Sequence, residues 1–158
     1  MNINVICVGK IKEKYFTDAI TEYSKRLSRF VKLNIIEVAD EKIPDNASVK
    51  EMEIVKKKEG ERILSKLPAN SFAVTLCVEG KELSSTELAT KLSDISMTSS
   101  NITFIIGGSL GLSDDVKSAS HLRLSFGRIT LPHQLIRVVL LEQLYRAFKI
   151  NNNETYHK

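Results

Sequence analysis

Five short apolar runs, each followed by an amphipathic or polar stretch, set the rhythm of this chain. Ile3–Val8, Lys32–Val38, Phe72–Val78, Ile102–Ile106 and Leu122–Phe126 are too short for stable helices, and the first four are rich in β-branched residues. That pattern predicts strands, and their near-continuous apolar character predicts burial on both faces. Between them the period changes. Tyr15–Phe30 places Phe16, Ala19, Ile20, Tyr23, Leu27 and Phe30 at three/four spacing, the signature of an amphipathic helix. Val49–Leu67 is a charged helix with a thin stripe of Met52, Val55, Ile63 and Leu67. Ser84 with Glu87 three residues on has the form of a capping box, opening a helix through about Ser96. A short helix follows the glycines after Ile106, and Pro132 opens the last long helix, where its missing N–H costs nothing. Glu79-Gly80 reads as the turn that ends the third strand, and Ala39–Ser48, with Pro44 and Asn46, as the longest loop.

Strands alternating with helix-length connections imply an α/β fold: a mostly parallel sheet with helices on both faces. No Pro/Gly/Ser-rich linker divides the 158 residues, so a single domain, 1–158, is expected. In an open parallel sheet, ligands bind beyond the carboxyl ends of the strands, which points to the loops after Ile106 and Phe126. The last helix carries Leu135, Ile136, Val138, Val139, Leu140, Leu141, Leu144, Tyr145, Ala147 and Phe148 on more than one face. A helix so apolar needs burial on nearly all sides, and a second copy of the chain in a homodimer would supply it.

Composition narrows the classes. No apolar run approaches the roughly 18–20 residues of a membrane span, and Met1-Asn2 leads straight into a strand with no cleavage pattern, so a cytoplasmic protein is expected. Cys7 and Cys77 sit inside strand-like runs without CxxC or nearby His spacing; they read as buried reduced thiols, with no metal site. The net charge is only +4, but residues 116–158 hold Lys117, Arg123, Arg128, Arg137, Arg146, Lys149 and Lys158 against Glu142 and Glu154. A basic face beside a candidate pocket suits a polyanion such as nucleic acid. The run Lys56–Lys58 is balanced by Glu51, Glu53, Glu59 and Glu61 and reads as a solvated helix face.

Three segments carry candidate chemistry. The turn IGGSLGLS follows a strand but has Ile106 where a dinucleotide fingerprint needs its first glycine, and no acidic residue about twenty positions on to hold a ribose. Thr130-Leu131-Pro132-His133-Gln134 puts a histidine in the first turn of a helix beside that loop. The polar tail ends in Tyr156-His157-Lys158, an aromatic ring that can stack on a base with hydrogen-bond donors and a cation beside it. From these residues alone a nucleotide-binding oxidoreductase on a doubly wound sheet and a noncatalytic ribosome-associated module both remain open.

Taken together, GGSLGLS after a strand, TLPHQLIRVVLLEQLYRAFKI and the terminal YHK resemble the RlmH family of the SPOUT superfamily of RNA methyltransferases, over essentially the whole chain and including Gly9-Lys10. The resemblance implies a C-terminal trefoil knot, a homodimer, and S-adenosylmethionine as cofactor. It implies methyl transfer to N3 of pseudouridine 1915 in helix 69 of 23S ribosomal RNA, on the assembled ribosome, with another RNA such as tRNA as the alternative substrate. By the same resemblance, Leu76, Gly108 and the run Gly127, Arg128, Ile129, Thr130, Leu131 and Pro132 are expected to line the cofactor pocket. His157 is then the expected proton acceptor or ring donor, Tyr156 a stacking platform, and His133 and Arg137 groups near a dimer-spanning site.

Overall fold

The computed structural model describes all residues, Met1–Lys158. Five strands and five helices alternate: β1 (Asn2–Val8), α1 (Lys14–Leu27), β2 (Lys32–Val38), α2 (Val49–Lys66), β3 (Phe72–Glu82), α3 (Ser85–Ser96), β4 (Asn101–Ile106), α4 (Asp114–Ala119), β5 (Leu122–Ser125) and α5 (His133–Asn151). The strands form one sheet in the order β2-β1-β4-β3-β5, and every pairing is parallel. The register keeps strand starts aligned: Asn2 lies opposite Lys32 on one side and Asn101 on the other.

Strand pleat sorts the side chains into two layers. Ile3, Val5 and Cys7 of β1 and Ile102, Phe104 and Ile106 of β4 face a larger core completed by Leu27, Leu88, Leu92, Leu140, Leu141 and Leu144. Ile6, Val8 and Ile105 face the other way, against Ile63, Leu112 and Val116. Thus α1, α3 and α5 cover one face and α2 and α4 the other, as the alternating pattern implied. Helix α5 lies between α1 and α3, with Leu140, Leu144 and Ala147 fully buried, while Leu135, Val138 and Val139 are half-buried.

Polar residues inside the sheet are matched across strands. The Asn34 amide donates to Asn4 at 3.1 Å, the Asn4 amide to the Thr103 hydroxyl at 3.3 Å, and Thr103 pairs with the Ser71 hydroxyl at 2.6 Å. A slip of one register would strand these groups in the core, so the ladder fixes pairing as well as satisfying it.

Helix starts follow local chemistry. Ser84 and Glu87 close the expected capping box on α3, and Ser48 with Glu51 close a second on α2. The Ala39–Ser48 segment forms no strand or helix, yet it is tied to α2: Glu59 accepts the Glu41 N–H at 2.9 Å and Arg62 donates to the Ala39 carbonyl at 3.0 Å.

Two expectations are corrected. Glu79-Gly80 does not end β3. Leu76 and Lys81 both lie opposite Leu124, so Cys77–Gly80 bulges out of the ladder and the strand then resumes to Glu82. Gly80 is what lets it resume, because a Cβ there would sit 2.8 Å from the Arg123 carbonyl and from backbone carbon of Leu124. Cys77, on this bulge, is half-buried rather than fully buried as Cys7 is. Gly80→Ala is therefore expected to destabilise the protein by about 2 kcal/mol through overpacking against β5. Denaturant unfolding tests this, and an unchanged midpoint would show that the two strands separate there without cost.

Candidate functional site

The bulge of β3 and the carboxyl ends of β4 and β5 open onto a cleft of about 620 Å³. Its walls are Leu76–Glu79, the turn Ile106–Leu112, Phe126 with the segment through Pro132, and His133 and Ile136 of α5. This volume lies in the range of small-molecule and cofactor sites. Leu76, Gly108, Gly127, Ile129, Thr130, Leu131, Pro132 and His133 all line it. Arg128 lies on the same segment and is exposed, outside the lining.

Glycines shape the floor. A Cβ on Gly107 would meet the Gly111 carbonyl carbon at 2.8 Å, so the turn closes on itself, with the Gly111 N–H donating to the Gly108 carbonyl at 3.0 Å. Gly108 backs onto buried Glu59, whose Oε1 lies 3.2 Å from where a Cβ would stand, and burial pushes the Glu59 carboxyl up from its ordinary value. On the opposite wall Gly127 adopts φ +113°, a conformation open to glycine but strained for other residues. The Ser125 hydroxyl donates to the Val78 carbonyl at 2.9 Å and accepts the Gly127 N–H at 3.1 Å, pinning the loop to the β3 bulge.

Beyond that pin, the backbone N–H groups of Arg128, Ile129, Thr130 and Leu131 make no hydrogen bond within the chain. A run of free donors beside apolar Leu76, Ile129 and Leu131 matches a ligand with a heteroaromatic edge and an apolar body. The residues therefore fit an adenosine-type cofactor. Few titratable groups face the space. Lys117 pairs with Glu79, Lys56 with Glu53, and burial raises the Cys77 thiol, which keeps it protonated and non-nucleophilic. His133 is shifted down, first by burial and then by the Arg137 charge, so it is neutral at pH 7. The cleft is equipped to bind and orient a group that already carries its own reactivity. Sequence reasoning missed Lys56, Cys77, Glu79 and Lys117 as cleft residues; only the β3 bulge brings Cys77 and Glu79 there, and no local pattern announces it.

Arg137 and the tail lie elsewhere. The Arg137 side chain is 3% exposed, and its guanidinium donates to Glu37 at 2.8 Å and to the carbonyls of Val8 and Gly9 at 2.9 and 2.7 Å. It fastens the first turns of α5 to the end of β1, and its Nε has no partner. Tyr156 is packed rather than frayed: its hydroxyl donates to Glu142 at 3.2 Å, its ring meets Tyr145 edge-on at 5.0 Å, and Arg146 lies 4.7 Å over its face. His157 Nδ1 is 3.3 Å from Arg146. At about 1.5 Å per residue, Glu142 is about 13 Å along α5 from His133, so one chain does not bring its own tail into its own cleft.

The basic C-terminal quarter also looks different in three dimensions. Lys117, Arg137, Arg146 and Lys149 are each paired with a carboxylate, which leaves only Arg123, Arg128 and Lys158 of the seven cations without an ion pair.

Comparison with known proteins places this fold. Residues 1–157 match the family described as "Predicted SPOUT methyltransferase", and the chain belongs to that family. Within it, the chain groups with the ribosomal RNA large subunit methyltransferase H proteins, the RlmH family. It is 57% identical to the one from Clostridioides difficile (strain 630) and 56% to the one from Clostridium novyi (strain NT). Identity to the one from Lactobacillus delbrueckii subsp. bulgaricus is 54%, and all three alignments cover 100% of both chains. A solved structure described as "a probable methylase family protein from Haemophilus influenzae Rd KW20" superposes with a TM-score of 0.54 at 13% identity, over 99% of this chain and 70% of that one; this likeness concerns the fold.

Two outcomes follow from the geometry. Arg137→Met removes the partner of Glu37 and of two buried carbonyls, and should cost about 3 kcal/mol of stability in denaturant unfolding. An NMR titration should find His133 with a midpoint below the ordinary value of about 6.5. Because its folded value is depressed, its contribution to stability is present above that ordinary value and is lost as pH falls through the folded midpoint.

Proposed function

We propose that this chain transfers a methyl group from S-adenosylmethionine to N3 of pseudouridine 1915, in helix 69 of 23S ribosomal RNA, on the assembled ribosome, and acts as a homodimer. The observation that carries the reading is the cleft: backbone donors from Arg128 to Leu131 without partners in the chain, on the loop that forms one wall of a partly apolar cleft in a SPOUT chain. The names of its relatives support the ribosomal substrate. The C-terminal trefoil knot belongs to the same proposal.

In this reading the Arg128–Leu131 backbone would donate hydrogen bonds to the adenine edge, and Leu76, Ile129 and Leu131 would hold the apolar parts. The cofactor supplies an already electrophilic methyl group, so the protein has to align the target nitrogen and take up its proton. Neutral His133 at the mouth avoids placing a second positive charge beside a sulfonium. Arg137 acts through position, holding the first turns of α5 where His133 and Ile136 close the cleft.

Proton removal falls to the tail of the second copy. Two copies of α5 packed antiparallel across Leu135, Val138 and Val139 reverse the 13 Å offset and carry Tyr156 and His157 of one chain toward the cleft of the other. Tyr156 then stacks on the uracil ring and His157 accepts the N3 proton. A base in a hairpin loop is cheaper to expose than one in a duplex.

The test is transfer of labelled methyl from S-adenosylmethionine to ribosomes lacking the modification, with the product base located by mass mapping. Label on that pseudouridine is expected. His157→Ala should lower kcat by about 10²-fold while leaving cofactor affinity intact, the range of a lost general base; full turnover in both His157→Ala and Tyr156→Ala would remove the tail from the mechanism.

A further inference from the structure

Of the seven cations in the C-terminal quarter, four are neutralised by carboxylates, so the charge that meets a polyanion has to be sought elsewhere. The connection from β1 to α1 stands out. Its backbone is locked at four points: the Gly9 N–H donates to the Val38 carbonyl at 2.8 Å, and the Gly9 carbonyl accepts from Arg137 at 2.7 Å. The Ile11 N–H donates to Glu37 at 3.2 Å and the Lys12 N–H to the Gln134 side chain at 3.3 Å. Gly9 itself turns the chain with φ +83°.

What this locked backbone presents is unpaired. Lys10 and Lys12 are exposed and in no ion pair, whereas Lys14 is held by Asp18 at 2.7 Å. Tyr15, in the first turn of α1, is 65% exposed, with its ring tilted against Phe16 at 4.6 Å. Glu13, Glu37 and Asp40 are the nearby acids; Glu37 accepts the Ile11 N–H and pairs with Arg137, and none of the three closes a pair with Lys10 or Lys12. The location matters too. Gln134 follows His133 of the cleft, so Lys12 stands at the cleft rim, on the α5 side of the exposed Arg128 loop.

We propose that the Lys10–Tyr15 segment is an RNA-contact element beside the methyl-transfer cleft, with Lys10 and Lys12 on the phosphate backbone and Tyr15 stacked on an unpaired base. Free cations interleaved with an exposed aromatic ring are the combination that binds single-stranded nucleic acid. A preformed backbone adds to it, since only side-chain freedom is lost on binding. This inference rests on the proposed function in taking ribosomal RNA as the polyanion.

The test is binding of the full-length protein to ribosomes over a range of salt, read alongside methyl transfer. In the double variant Lys10→Gln/Lys12→Gln, the slope of log Kd against log salt should become shallower by about 1.5, the release of two phosphate contacts. Its KM for ribosomes should rise about tenfold, with the Kd for S-adenosylmethionine unchanged. Lys32→Gln/Lys66→Gln removes the same charge at the amino ends of the strands and serves as control. An equal change in the control, or no change in the loop variant, overturns the proposal. Tyr15→Ala should weaken binding about tenfold. If instead it altered the oligomeric state in sedimentation, a second copy would cover the ring and the stacking contact would be overturned. Salt-dependent binding through the loop without methyl transfer would sink the catalytic reading and leave this one standing; methyl transfer with an unaltered slope would do the reverse.

Discussion

One guanidinium ties the ends of this molecule together. Arg137 reaches from the second turn of α5 to the carbonyls of Val8 and Gly9 and to Glu37, joining residues 100 to 129 positions apart. Taking a charge out of water is expensive, and the pair with partly exposed Glu37 is helped in offsetting that by two carbonyls, which leave Nε as the guanidinium nitrogen without a partner. What the arrangement secures is position. Helix α5 could slide between α1 and α3 on apolar contacts alone, since Leu140, Leu144 and Ala147 offer little direction. A charged fork meeting two carbonyls and a carboxylate admits one register, and that register sets His133 and Ile136 against the cleft.

The cleft is then a product of the backbone. β3 bulges at Cys77–Gly80, β4 ends in the glycine turn, and β5 ends at Ser125, whose hydroxyl ties the first of these to the loop after the last. No side-chain motif marks it: the N–H groups of Arg128–Leu131 are left without partners in the chain, and any residue supplies an N–H. That is also why this run accommodates an exposed Arg128 and Ile129 in its sequence.

The same fact explains what could and could not be read in advance. Strand and helix identities were legible because burial on both faces of a parallel sheet leaves continuous apolar runs, as in Ile102–Ile106, and because Ser84 and Glu87 cap locally. The β3 bulge was not, since Gly80 resembles a turn glycine until Arg123 of β5 is seen pressed against it. Charge was misleading for two reasons: Glu37 comes to Arg137 only in the fold, while Glu142 and Glu154, four and five positions from Arg146 and Lys149, neutralise them locally, which a count of charges along the chain does not weigh. Lys10, noted in the sequence only through the Gly9-Lys10 part of the resemblance, and Lys12 stay out of any ion pair on a loop whose own backbone is tied down. The placement of Leu76, Gly108 and Gly127–Pro132 followed from a resemblance, and periodicity alone would have reached only the two loops.

The tail poses the remaining physical problem. Tyr156 and His157 are docked on Glu142, Tyr145 and Arg146, a well-packed arrangement about 13 Å along the helix from His133. Moving them into the cleft of the same chain would break those contacts and gain no others of similar quality. A second α5 running the opposite way, as proposed, would bring the two regions together without disturbing either. It would also cover Leu135, Val138 and Val139, which the single chain leaves partly exposed. One step of association would then bury an apolar stripe and complete the proposed site, so that a lone chain, though fully folded, would bind cofactor without a base to act on the substrate.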